Sequence, residues 1–419
     1  MRLPRFEMGE NARMALSTLR QHKVRSVLSV LGVVIGITAV IAVSSILVGV
    51  QKDVSDVLED FGSDTLFVFK FQPGFHGRLT PEERMRKPLT LEDGLAIETD
   101  APAVKEVSIE VFPRVGTRRP PSAARFGPNE VIPVEFTGAT PSYERVLNAQ
   151  IADGRFFNEA ENLHASAVIV IGWDVAEALF PGSDGVGKTV LVNGVPYQVV
   201  GVQARRKGKF LRADGGDRQV VIPYRTYKKH YPSDDEHFLA VQAYPGMKAA
   251  AEDQVRGILR QRRRVAFNDK DNFGISSAEQ IAQQFRQITG AVFLATAVIA
   301  SIGLLVGGVG VMNIMLMSVT ERTREIGVRK AIGAKKRDII AQFLTEAITI
   351  TAAGGIIGTL LGGGISLLIN LALPSLPSYV PMWAVMLAVG VSTSIGLFFG
   401  MYPAVKAARL DPVDALRYE

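Results

Sequence analysis

No cysteine occurs among the 419 residues, so no disulfide holds any part of the chain together. That suits a periplasm or an outer cell face and decides neither. Histidine is scarce, five residues scattered along the chain, and no carboxylate pair, Ser/His/Asp set or cluster with metal-ligand spacing accompanies it. The residues assemble no catalytic or metal-binding chemistry, and an enzyme is not expected. No internal repeat is visible, which leaves the inverted-repeat architecture of many secondary transporters without support. Charge, finally, is missing from four long apolar runs at 27–50, 291–319, 347–373 and 382–402. Each holds roughly twenty or more residues, enough at about 1.5 Å per residue to cross a hydrocarbon core of about 30 Å. The first is too long for a signal-peptide core, and no small-residue cleavage site follows it. Four transmembrane helices are therefore expected, at 27–50, 288–319, 339–373 and 382–402.

Charge orients these spans. Arg2, Arg5, Arg13, Arg20, Lys23 and Arg25 face only Glu7 and Glu10 ahead of the first span, a net +4. Between the second and third spans, residues 320–338 carry seven cations against Glu321, Glu325 and Asp338, again +4. The tail 403–419 is neutral, and the short loop 374–381 has no charge. The positive-inside bias puts both termini and the charged loop in the cytoplasm, and the segment 51–287 on the outer side. That segment holds 31 basic and 32 acidic residues, so the overall charge of +6 reflects topology and gives no support to nucleic-acid binding. Its local basic clusters, 260–264 and 205–209, read as solvated surface.

Residues 1–26 interleave Phe6, Met8, Ala12, Ala15, Leu16 and Leu19 with Arg13 and Arg20, the pattern of an amphipathic helix lying on lipid. Residues 52–61 and 277–289 continue the helical period beyond the first and second spans as stalks. Between them strands are expected at 65–71, 104–115, 131–137, 167–171, 189–193, 197–202 and 238–243. Asn193-Gly194 forms a hairpin turn, and helices follow Thr90 and Met247. The segment is an α+β domain with two lobes, the inserted one at about 140–232.

Gly182-Ser183-Asp184-Gly185-Val186-Gly187-Lys188-Thr189 fits the nucleotide-binding P-loop pattern, yet a P-loop needs a strand before it and a helix after it. Here Pro181 precedes and a hairpin follows, so the glycines serve a turn. Glu346 lies near the inner end of the third span, as an interfacial carboxylate beside Arg337 or Lys336, or as a coupling or proton site. Small residues recur at four-residue spacing in Gly32/Gly36, Gly303/Gly307 and Gly354/Gly358/Gly362. They allow close helix approach, within one subunit or across a dimer.

The run Glu321-Arg322-Thr323-Arg324-Glu325-Ile326-Gly327-Val328-Arg329-Lys330-Ala331-Ile332-Gly333-Ala334 carries far more charge than a loop needs to reverse the chain, with Glu325 and Arg329 paired at i,i+4. It reads as a short, rigid helix at the membrane surface, presented to something in the aqueous phase. Met312-Asn313-Ile314-Met315 leads into it, and the tail carries Tyr402-Pro403-Ala404 and Ala407-Ala408-Arg409-Leu410-Asp411-Pro412-Val413-Asp414-Ala415-Leu416-Arg417. With the order one span, large outer domain, three spans, the whole chain resembles an ABC transporter permease of the MacB/FtsX type. The outer stretch Phe180-Pro181-Gly182 through Gly187-Lys188 to Val202 is similar to that family's outer-domain consensus, which accounts for the false P-loop.

The resemblance implies an α-helical membrane protein with four transmembrane helices and an extracytoplasmic α+β domain built as a porter-like lobe with an insertion. It implies a coupling helix that docks on an ATPase, with Glu321, Arg322, Arg324, Glu325, Ile326, Gly327, Arg329 and Lys330 as the docking set. It also implies a homodimer or heterodimer in the inner membrane, served in some members by a periplasmic adaptor and an outer-membrane channel. This chain binds no cofactor of its own; ATP and Mg belong to the partner. Because no ATPase domain precedes the first span, the expectation is a separate ATPase chain or an orphan permease. Two roles remain open: export of a substrate from the periplasm or outer leaflet, and an FtsX-like relay that controls an envelope enzyme or sensor without transport.

Overall fold

The computed structural model describes residues 23–71, 80, 83, 85–113, 120–206, 217–373 and 376–417. The surface helix expected over 1–26 lies outside them up to residue 22. The chain forms two bodies, Gln51–Gln287 and the remainder. In order, the elements as far as the end of the sheet are α1 (Lys23–Asp60), β1 (Thr65–Phe69), α2 (Leu91–Asp100), β2 (Val104–Phe112), β3 (Ala124–Phe126), β4 (Asn129–Val131), β5 (Glu135–Ala139), α3 (Tyr143–Val146), β6 (Ile151–Gly154), α4 (Glu159–Leu163), β7 (Val168–Ile171), α5 (Trp173–Leu179), β8 (Thr189–Val192), β9 (Val195–Gln203), β10 (Gln219–Pro223), α6 (Tyr224–His230), β11 (Glu236–Ala243), α7 (Lys248–Arg262) and β12 (Gly274–Ser277). Then follow α8 (Ala278–Glu321), α9 (Thr323–Ala331), α10 (Lys336–Ala372), α11 (Met382–Arg409) and α12 (Pro412–Arg417).

The twelve strands form one mixed sheet, ordered β12-β1-β11-β2-β5-β10-β7-β9-β8-β3-β4 with β6 on β9. Strands β10 and β5 are parallel, so the end of the segment 140–232 rejoins the strand that precedes it. Alternation along the strands gives the sheet two unlike faces. On one, Leu66 and Val107 flank Val241, and Val68 and Ile109 flank Leu239. This apolar face is closed by Ile97 of α2, Ala251, Val255 and Leu259 of α7, and Tyr227 of α6, all fully buried. The strand expected over 131–137 is divided in two, β4 ending at Val131 and β5 starting at Glu135, around Pro133, which has no N–H to give a ladder.

A capping box starts α2: Thr90 Oγ1 accepts from the Asp93 amide and the Asp93 carboxylate accepts from the Thr90 amide, each at 3.2 Å. The same carboxylate, 7% exposed, receives Arg262 Nε at 2.9 Å and lies 3.6 Å from Arg263 Nη1. Arg263 also donates to the Pro88 carbonyl at 3.1 Å, and Arg260 to the Ala266 carbonyl at 2.6 Å and to Asp271. Three members of the basic cluster 260–264, Arg260, Arg262 and Arg263, thus staple α7 to α2 and the following loop, where solvated surface is expected. Their acceptors lie up to 176 residues away along the chain and meet them only on folding.

Among the described residues of the other body, four helices are long and apolar enough to cross a membrane, and α1 is the most buried of them. Glycines set its contacts. A Cβ at Gly32 would stand 2.8 Å from Gly307 Cα and 2.9 Å from the Gly303 carbonyl, and one at Gly36 would stand 2.8 Å from Leu304. On another flank of α1, Cβ atoms at Gly354, Gly358 and Gly362 would reach Val30, the Val34 carbonyl and Ile41 at 2.8 to 2.9 Å. Thr38 Oγ1 adds a hydrogen bond to the Gly358 carbonyl at 3.1 Å. All seven glycines meet helices of their own subunit, and with no Cβ in the way the backbones come close enough for van der Waals attraction to hold them in lipid. Val33, Ile37 and Ile41 of α1 complete this core with Ala384 and Ala388 of α11.

Candidate functional site

The helix between the second and third spans starts and stops for local reasons. Helix α8 ends at Glu321, and Arg322 leaves helical geometry at φ −102°, ψ 17°. At the far end, Gly333 takes φ +102°, a conformation that glycine adopts without a Cβ clash. Its amide donates to the Lys330 carbonyl and the Ala334 amide to the Arg329 carbonyl, both at 3.0 Å, the paired bonds of a Schellman stop. Glu325 in the first turn and Arg329 and Lys330 in the last suit the helix dipole.

One face of α9 is turned into its own chain. Ile326, 3% exposed, packs in a cluster with Val319, Ile339, Phe343, Ala404 and Ala407, and Gly327 is buried beside it. Lys330 Nζ donates to the carbonyls of Ala408 at 2.7 Å and Leu410 at 2.6 Å, closing the C-terminal end of α11. Desolvation, with the like charge of Lys336 adding to it, holds the Lys330 ammonium below its ordinary pKa, against the opposing pull of Asp411. Arg329 bridges Glu325 at 2.5 Å and Gln342 at 2.6 Å. Arg322 lies 3.4 Å from Glu346, whose side chain is 4% exposed. The cation beside Glu346 is therefore Arg322; Arg337 pairs at 3.6 Å with exposed Asp338. An ion pair this buried is costly to break from one side only, which ties α9 to α10.

The other face is open. Glu321, Arg324 and Glu325 are exposed, and with them Val328 at 45% and Ile332 at 82%. Arg324, Val328 and Ile332 follow at four-residue spacing, one stripe along the helix. Of the eight residues expected to dock, the structure thus turns Glu321, Arg324 and Glu325 outward, buries Ile326 and Gly327, and engages Arg322, Arg329 and Lys330 within the chain. Val328 and Ile332 were missed, although the helical period holds the signal. Val328 is two positions, about 200°, from Ile326, so burying one exposes the other. An apolar pair on an otherwise charged, water-facing surface is suited to being covered by another protein.

Replacing Lys330 with Met is expected to free the two carbonyls and loosen α12, since a hydrogen bond to a charged donor contributes about 1.5–3 kcal/mol. Hydrogen exchange of amides 410, 411 and 413–415 should accelerate at least tenfold in K330M; unchanged protection would show that the lysine does not hold this corner.

The glycine-rich run 182–189 lies elsewhere and leads from α5 into the hairpin β8–β9, which turns at Asn193 (φ 50°) and Gly194 (φ 83°). Lys188 Nζ donates to Ser183 Oγ at 2.9 Å and sits 4.7 Å from the Phe180 ring centre, a lysine committed to its own loop.

Comparison with known proteins agrees over nearly the whole length. Residues 26–258 match the model of a MacB-like periplasmic core domain, and residues 297–412 that of an FtsX-like permease C-terminal region. The ABC transporter permease YvrN of Bacillus subtilis is 35% identical over 419 aligned residues, 98% of this chain and 100% of that protein. A macrolide export ATP-binding/permease protein MacB of Bdellovibrio bacteriovorus is also 35% identical, over 99% of this chain, which spans 63% of that relative's length. The crystal structure of the periplasmic region of MacB from Actinobacillus actinomycetemcomitans aligns with 55% of this chain and 95% of its own, at 18% identity and a TM-score of 0.44. With one family model covering more than half of the chain and a permease matched from end to end, this protein belongs to the MacB/FtsX family of ABC transporter permeases.

Proposed function

We propose that this chain is the membrane subunit through which a separate cytoplasmic ATPase drives the sheet domain on the opposite side of the membrane, exporting a substrate taken from the periplasm or outer leaflet. The observation that carries this reading is α9: a short helix fixed to its own spans by Ile326, Arg322 and Lys330, with a stripe of Arg324, Val328 and Ile332 left exposed. A helix held on one face and open on the other transmits a push without absorbing it. The positive-inside asymmetry supports a cytoplasmic position for α9 and both termini. The apolar runs carry no charge at mid-depth, where a route for polar solutes would need some. Motion of the domain therefore fits better than passage of solute between the helices. Two such subunits would receive two ATPases, and the macrolide cargo named for the MacB relatives extends here to export of bulky, largely apolar compounds.

Arg324→Glu tests the contact. Tagged permease purified from its own cells should bring down an ABC ATPase, identified by mass spectrometry together with its ATP hydrolysis. R324E should lower that recovery at least tenfold and R324K should retain it, with equal permease yields. Equal recovery with all three forms would remove α9 as the docking element. Arg329 is the poorer probe, since its reversal also breaks the bonds to Glu325 and Gln342.

A further inference from the structure

The second face of the sheet is unlike the core face. A cavity of about 420 Å³ opens on it within the domain Gln51–Gln287. Five phenylalanines line its apolar wall, Phe112 and a cluster of four. Phe67 and Phe238 stack with ring centres 5.8 Å apart, Phe69 lies 5.1 Å from Phe238, and Phe61 meets Phe67 edge-on at 5.4 Å. Into this wall β2 projects Glu110, the cross-strand neighbour of Phe238. Glu110 is 4% exposed, and its Oε1 has no hydrogen-bond partner. A buried carboxyl oxygen without a donor costs about 1–3 kcal/mol or more, and nothing in the architecture of the sheet calls for it. The adjacent position on the same face of β2, Ser108, is likewise buried with its hydroxyl unpartnered.

The other ionisable groups around the cavity decide the sign of a ligand. Arg206 donates to the Tyr143 hydroxyl at 3.2 Å, which donates onward to Gln219 at 3.1 Å, and the Asp217 carboxylate accepts from the Arg206 amide at 3.0 Å. Glu135 completes the set, and the stalk residues Val57, Leu58, Phe61 and Ile281 bring no ionisable group. Among the described residues, three carboxyl groups therefore stand against one guanidinium that is already engaged. Aromatic faces and a donor-less carboxyl favour a cation with N–H groups over an anion or a neutral apolar molecule.

We propose that this cavity binds an amphipathic amine, its apolar body against Phe61, Phe67, Phe69 and Phe238 and its ammonium donating to Glu110. The site rests on the sheet domain alone and is independent of the docking role of α9. Its protonation chemistry gives a signature. Burial pushes the Glu110 carboxyl up to about 8, against the opposing charge of Arg206. At pH 7 the ligand-free carboxyl is mostly protonated, and an arriving ammonium draws it to the carboxylate. Binding then releases close to one proton, a release that fades above pH 9, where the carboxyl is already ionised. The Tyr143 hydroxyl is pushed up by its own burial and stays protonated throughout.

Calorimetric titration of the full-length permease with naphthylmethylamine, in two buffers of different ionisation enthalpy at pH 7, tests the assignment. Naphthylmethanol serves as the neutral control of the same shape. The amine should bind saturably, at least tenfold tighter than the alcohol, with release of nearly one proton, and Glu110→Gln should reduce it to the level of the alcohol. Equal binding of amine and alcohol, no proton release, or no saturable binding would each overturn the site. The proton count needs no variant and stands even if E110Q folds poorly.

Discussion

Ile332→Asp is expected to strip the ATPase from the permease while leaving the permease folded. Ile332 is 82% exposed at the end of α9, and Val328, 45% exposed, stands one turn before it. Burying an isoleucine side chain in a contact stabilises it by about 1.5–3 kcal/mol. A carboxylate in its place loses that term and must also be desolvated. Together these amount to roughly a hundredfold weaker complex. The permease itself has no use for the side chain, so its melting temperature should not move. Ile326→Asp, two residues before Val328 on the opposite face of α9 and 3% exposed, should show the opposite pattern. It places a charge among Val319, Ile339 and Phe343 and should lower stability by several kcal/mol. ATPase recovered per folded permease, measured beside the melting curve, separates the two. Full recovery with I332D would mean that this stripe is not what the ATPase grips.

The second large effect belongs to Gly32. A Cβ there would meet backbone, Gly307 Cα and N at 2.8 Å and the Gly303 carbonyl at 2.9 Å, so no flexible side chain can swing aside. Gly32→Val forces α1 away from α8 at the point where they come closest. Overpacking costs about 1–3 kcal/mol in a core that can adjust, and two helix backbones adjust poorly. In lipid, moreover, helix association depends on close packing because the tails are as apolar as the side chains. G32V should lose most of its folded, monodisperse yield in size-exclusion chromatography. Gly363→Ala and Gly390→Ala, where a Cβ would meet nothing within 4 Å, should match or slightly exceed the parent, since alanine favours a helix by about 1 kcal/mol over glycine. A G32V protein as well behaved as G390A would show that the close approach is dispensable.

Much of the architecture was legible in the residues. The four spans follow from runs without charge, and the turn at Asn193-Gly194 from two residues that accept positive φ. The stop at Gly333 follows from the same freedom. The site was only half legible. The charged segment 321–334 stands out, yet it contains residues of both faces. Ile326, Gly327 and Lys330 turned out to be occupied by the chain itself, and Val328 and Ile332 to be open. Glu346 was assigned to the nearest cations in sequence, Lys336 and Arg337, and found its partner 24 residues away in Arg322. Arg262 and Arg263 read as solvated charge because their acceptors at 88 and 93 are remote in the chain.

The sequence by itself determined the spans and their order, and it set apart one charged segment between two of them. Hydropathy, charge and turn preference belong to short runs of residues and survive without knowledge of the fold. Only the tertiary structure decided which face of α9 is free, which glycines meet within one subunit, and that Glu110 ends without a donor among phenylalanines. Clearance, burial and hydrogen-bond partnership are set by residues distant in the chain, and a single sequence does not bring them together.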